Sequence, residues 1–125
     1  MLILFADDDK VLRDYIESSI PSDFNDILDI VGTAKEVIEL IKNNNYDKAV
    51  IDLMFEGEPM NGFDIIKCAE ENGVQERIIF TSVSNQIDVK SIGATAAFRK
   101  PLSMNNIAKF LFTNDYDLLK DGDFF

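Results

Sequence analysis

Five short apolar runs, each followed by a stretch with helical spacing, constrain this chain more than any other feature it has. The runs are Met1–Ala6, Ile27–Val31, Ala49–Leu53, Arg77–Ser82 (centred on Ile78-Ile79-Phe80) and Thr95–Arg99. Short runs with little polar alternation are what strands buried on both faces of a parallel sheet look like. Between them, Val11, Leu12, Tyr15, Ile16 and Ile20 keep helical spacing until Pro21. Thr33-Ala34-Lys35-Glu36 has the form of a capping box, opening a helix with Val37, Ile38, Leu40 and Ile41 inward and Asn43-Asn44-Asn45 at its end. A third helix starts near Gly62, carries Phe63, Ile66 and Ala69 on one side and stops at Gly73. A short, weak helical segment covers 85–92, and Ser103 caps a last helix with Ile107, Phe110 and Leu111 inward. There is no internal repeat or linker. Alternation of this kind predicts one α/β domain over residues 1–113, a doubly wound five-stranded parallel sheet between two helical layers. Residues 114–125 are an acidic tail with Tyr116, Phe124 and Phe125, expected to be partly loose.

In such a sheet the ligand crevice lies outside the C-terminal strand ends, at a topological switch point. Asp7 and Asp8 follow the first run, Asp52 stands at the end of the third, Thr81 and Ser82 end the fourth, and Lys100 follows the fifth. All therefore meet at one edge. Carboxylates brought together repel unless a cation neutralises them. Magnesium suits them, because it takes oxygen ligands from one or two carboxylates and keeps several waters. A lysine and a hydroxyl at the same edge add a purpose: with a metal they can gather the equatorial oxygens of a phosphoryl group. Aspartate is an established nucleophile for acyl phosphate formation. In this arrangement Asp52 attacks, Asp7 and Asp8 hold the metal, Lys100 pairs with the new phosphate, and Ser82 or Thr81 receives an oxygen.

Composition removes other chemistries. The chain has no histidine, which excludes His-dependent triads and His-ligated zinc. A net charge of −11 argues against nucleic acid as a direct partner, since phosphate binding needs basic surface. Cys68 is the lone cysteine, so no internal disulfide forms, and it reads as a buried helix residue without a redox role. No signal segment and no membrane-length apolar run stand in the sequence, and a cytoplasmic protein is expected. Asp9 reads as a helix cap, Glu56 and Glu58 as solvated loop charges, and Phe98, Phe110 and Phe112 as core.

Taken together, the chain resembles a response-regulator receiver domain of two-component signalling. The resemblance is carried by Asp7-Asp8 after the first strand, Asp52-Leu53-Met54, Asn61-Gly62-Phe63, Phe80-Thr81-Ser82, and Gly93-Ala94 ahead of Lys100-Pro101, over about the first 113 residues. It implies strand order 2-1-3-4-5, a flavodoxin-like fold. It also implies a phosphoryl group taken onto Asp52 from a partner histidine kinase or histidine phosphotransfer protein. A Mg2+ or Mn2+ cofactor is implied on Asp7, Asp8, Asp52 and the Met54 backbone carbonyl. Catalysis would be limited to the chain's own phosphorylation and dephosphorylation. Three departures stand out. The loop between Asp52 and Gly62 is about two residues longer than the family's usual spacing, with Glu56-Gly57-Glu58-Pro59 inserted. The helix after strand four is about three residues short. The switch aromatic, three residues before the lysine, is Ala97, with Phe98 beside it. A stand-alone receiver acting on a downstream protein target is expected, with no membrane contact. Segment 83–92 should respond to phosphate, and the partner should dock by strand five and the last helix. The rival is a pseudo-receiver that works unphosphorylated as an interaction module. A phosphatase is disfavoured, because Met54 stands where its second aspartate would be.

Overall fold

The computed structural model describes residues 2–24, 27–52, 62–81, 92–99 and 102–119. Each apolar run becomes a strand: β1 (Ile3–Ala6), β2 (Leu28–Val31), β3 (Lys48–Asp52), β4 (Glu76–Thr81) and β5 (Ala96–Arg99). All pairings are parallel, in the order β2-β1-β3-β4-β5. The described α-helices are α1 (Lys10–Ser19), α2 (Ala34–Asn43), α3 (Gly62–Glu71) and α4 (Met104–Thr113), with 3-10 turns at Ser22–Phe24 and Tyr116–Leu119. Most of the segment expected as a helix at 85–92, and the loop 54–61, lie outside the described residues.

Alternation along the strands divides the core in two, because successive side chains of a strand leave opposite faces. Leu4, Ala6, Ala49, Ile51, Ile79 and Ala97 pack with Ala34, Val37 and Ile41 of α2 and Ile65, Ile66 and Ala69 of α3. Ile3, Phe5, Val50, Ile78, Phe80 and Phe98 pack with Leu12 and Ile16 of α1 and Ile107, Phe110 and Leu111 of α4. Both faces are covered, which is why the strands carry apolar residues without polar alternation.

Helix starts follow the side chains that cap them. Asp9 accepts from the amides of Val11 and Leu12, as expected of a cap. Thr33 Oγ1 accepts from Glu36 N–H at 3.2 Å and donates to the Glu36 carboxylate at 2.8 Å, a variant of the capping box. Ser103 accepts from Asn106 N–H at 3.3 Å. Two residues that spacing grouped with the apolar stripes lie outside them. Val11 is 67% exposed, since the buried stripe of α1 runs through Leu12 and Ile16 and leaves Val11 well round the helix. Phe63 is 40% exposed for the same reason, and Ile65 takes its inward place beside Ile66 and Ala69.

Candidate functional site

The site begins with strand register. Ala6 pairs with Ile51, so Asp7 and Asp52 leave the sheet side by side. The Asp7 amide donates to the Val31 carbonyl at 3.2 Å, which ties the residue after β1 to the end of β2. Asp7 Oδ1 in turn accepts from the Asp9 amide at 2.9 Å, turning the chain into α1. The three consecutive aspartates thus take different tasks: Asp9 caps the helix, while Asp7 and Asp8 face Asp52.

One carboxylate oxygen from each of Asp7, Asp8 and Asp52 lies within 4.8 Å of the others. Asp7 is 1% exposed and Asp52 7%, with Asp8 more open to solvent. Among the described residues no other group of three or more potential ligands is so close. Like charges gathered away from water repel, and hard oxygen donors at this spacing fit a divalent cation that keeps part of its water shell.

Thr81 ends β4 one position beyond Phe80, whose register partners are Asp52 and Phe98, so it is placed at the same edge. Lys100 directly follows the last residue of β5. Lys100, Ser82 and Met54, together with Glu56 and Glu58, lie outside the described residues. Ala97 is fully buried.

Sequence reasoning missed a second polar cluster, at the opposite edge of the sheet. Lys48 opens β3, is 2% exposed and pairs in register with Glu76. Its Nζ donates to Asn114 Oδ1 at 2.8 Å and sits 4.7 Å above the Phe110 ring. Burial lowers the Lys48 pKa, and the nearby Glu76 charge raises it in part. Tyr116 OH donates to Glu76 Oε2 at 2.9 Å, and Tyr46 OH donates to Asp29 on β2. A lysine ahead of an apolar run reads as the solvated start of a strand, so nothing in the sequence marked it. Nor did anything mark Arg13, whose guanidinium lies where a side chain at Gly32 would be and whose buried Nε lacks a hydrogen-bond partner. Cys68 is half-buried, and burial pushes its thiol pKa up, away from reactivity.

A family model described as the response regulator receiver domain matches residues 3–112. The fold is similar to the receiver domain of a Francisella response regulator, at 26% identity and a TM-score of 0.69, over 95% of this chain and 96% of that one. It is also similar to a CheY-like receiver domain protein of Methanospirillum hungatei, at 22% identity and a TM-score of 0.72, over 98% of this chain and 100% of that one. A third relative in fold is the response regulator TrrA of Thermotoga maritima, solved in complex with Mg2+ and BeF, at 18% identity and a TM-score of 0.65, over 95% and 100% of the two chains. No curated protein is similar enough in sequence to match.

Proposed function

The chain belongs to the response regulator receiver domain family, and from that premise we propose that Asp52 accepts a phosphoryl group from a partner phosphohistidine in a reaction dependent on Mg2+ or Mn2+. The signal then passes on by contact with a downstream protein. Phosphorylation-based signalling is general to the family. The observation that carries the reading for this chain is the cluster of Asp7, Asp8 and Asp52, three carboxylates within 4.8 Å at the C-terminal edge of a parallel sheet.

Each residue then has a chemical task. An Asp52 carboxylate oxygen attacks phosphorus, the P–N bond to the donor imidazole breaks, and Asp52 is left as an acyl phosphate. Asp7 and Asp8, with Asp52 and the Met54 carbonyl, would hold the cation. Bound there, Mg2+ would supply positive charge against the phosphoryl oxygens and offset the repulsion among the three carboxylates. Lys100 pairs its ammonium with the transferred group, and Ser82 or Thr81 donates a hydroxyl to it. The donor histidine comes from the partner, and this chain has none.

Incubation of the full chain with Mg2+ and a small phosphodonor, followed by intact mass, tests the reading. A single phosphate adduct is expected, absent from Asp52→Asn. Absence of an adduct from the unaltered chain would favour the other reading, an interaction module that works unphosphorylated. Ala97, where the family's switch aromatic would stand, is the observation on that side.

A further inference from the structure

The segment 83–92, expected to respond to phosphate, lies all but entirely outside the described residues. Another element is better placed on this structure. Ala97 offers no ring, but Phe98, the next residue, leaves β5 on the opposite face and is fully buried. In register, Asp52 pairs with Phe80 and Phe80 with Phe98, so one row of the sheet runs from the phospho-acceptor to this ring. Lys100 follows Phe98 by two residues.

The Phe98 ring meets Tyr116, with centroids 6.0 Å apart. Tyr116 also meets Phe110 edge-on at 5.2 Å. It belongs to the turn Tyr116–Leu119, which lies beyond the residues 3–112 that match the family, yet Leu119 is fully buried. Two polar ties hold this stretch to the starts of β3 and β4: Asn114 to Lys48 and Tyr116 to Glu76. Residues 114–119 are thus a strap, added to the matched domain and closed over its N-terminal strand ends.

The forces on the strap oppose one another. Ring packing and the burial of Leu119 close it. Closing also strips water from Lys48, whose ammonium gains a neutral amide and a ring face in exchange, and from part of Glu76. Opening would rehydrate both charges. A phosphate can bias the strap only through contacts that differ between its closed and open states, and these buried polar and ring contacts are the ones that would differ.

We propose that the strap 114–119 is the output element of this chain, and that a phosphate on Asp52 drawing Lys100 inward shifts Phe98 against Tyr116 and releases it. The proposal rests on the receiver reading above. The lever has then moved from the face of Ala97 to the opposite face of β5. Asn114 and Leu118 amides report on it, because they are held at 2.8 Å by the Phe110 carbonyl and at 3.1 Å by the Asp115 carbonyl.

Hydrogen exchange of the full chain, with and without Mg2+ and phosphoramidate, is read beside intact mass. Adduct formation should speed exchange at 114–119 at least tenfold while Ile107, inside α4, stays unchanged. Tyr116→Phe, which keeps the ring and loses the tie to Glu76, should speed the same amides several-fold without a phosphodonor and still take the adduct. Phe98→Leu should take the adduct and leave the strap unresponsive to it. An adduct with unchanged or slower strap exchange would overturn the proposal and leave the receiver reading standing. A strap that still responds in Phe98→Leu, or is unaffected by Tyr116→Phe, would overturn it too. No adduct at all removes the receiver reading and the proposal with it.

Discussion

Asp7, Asp8 and Asp9 have the same side chain and differ only in where the β1–α1 turn aims it. The turn was legible, because an apolar run followed by acidic residues and a helical stripe places the first carboxylates at the sheet edge and the last at the helix cap. Lys48 was not legible, because its burial depends on Phe110 and Asn114, more than sixty residues away in sequence. Two predictions belong here. Magnesium should raise the melting temperature by several degrees, since a ligand selective for the native state adds about 2.7 kcal/mol at a hundredfold excess over its Kd. Asp8→Asn should abolish that shift and Asp7→Asn weaken it, measured by thermal scans with and without the ion. Lys48→Met should be neutral or stabilising, within about 1–2 kcal/mol in urea titrations, because a buried charge is replaced by an apolar chain of similar length. Lys48→Ala should instead cost roughly 2–3 kcal/mol, through the cavity left against Phe110.

Helix phase was legible where two or more apolar residues recur a turn apart, as at Leu12 and Ile16 or Val37 and Ile41, and misread where one residue at a helix start was counted in, as at Val11 and Phe63. The strap escaped notice for a related reason: a single turn holding Tyr116 and Leu119 is too short to show a period. Its tyrosine and Tyr46 carry an expectation about pH. Burial first, and then the hydrogen bonds to Glu76 and Asp29, push both phenol pKa values up from 10.0. A raised folded-state pKa means that the unfolded chain loses the proton first. The stabilisation is therefore complete below pH 10 and is lost as pH climbs above it. Lys48, with its pKa lowered, works the other way, since the cost of burying its charge lessens as pH rises towards 10.5. Urea unfolding between about pH 8 and 11 should show a net alkaline loss, shallower in Tyr46→Phe and Tyr116→Phe and steeper in Lys48→Met.

At the scale of the whole molecule, the layered α/β architecture could be read from alternation alone, whereas the strand order came through the resemblance, since periodicity says nothing about which strands are neighbours. The net charge of −11 is a property of the entire surface. Self-repulsion of this size weakens the compact state and is screened by salt. Raising sodium chloride from about 20 to 300 mM should therefore raise the melting temperature by a few degrees. The magnesium effect should exceed that shift at matched ionic strength. The sheet also has a margin, β2, just four residues long and bearing Asp29 in the middle of Leu28-Asp29-Ile30-Val31. With the Tyr46 hydroxyl donating to it, that carboxylate is kept on the strand. A foreign strand laid alongside would have to confine a negative charge at the centre of the new seam, which is how natural sheets discourage edge-to-edge growth. Copies of this chain are accordingly hindered from templating one another along β2, one of the two margins that the order β2-β1-β3-β4-β5 leaves among the described strands, so that this margin is a poor seed for a fibre.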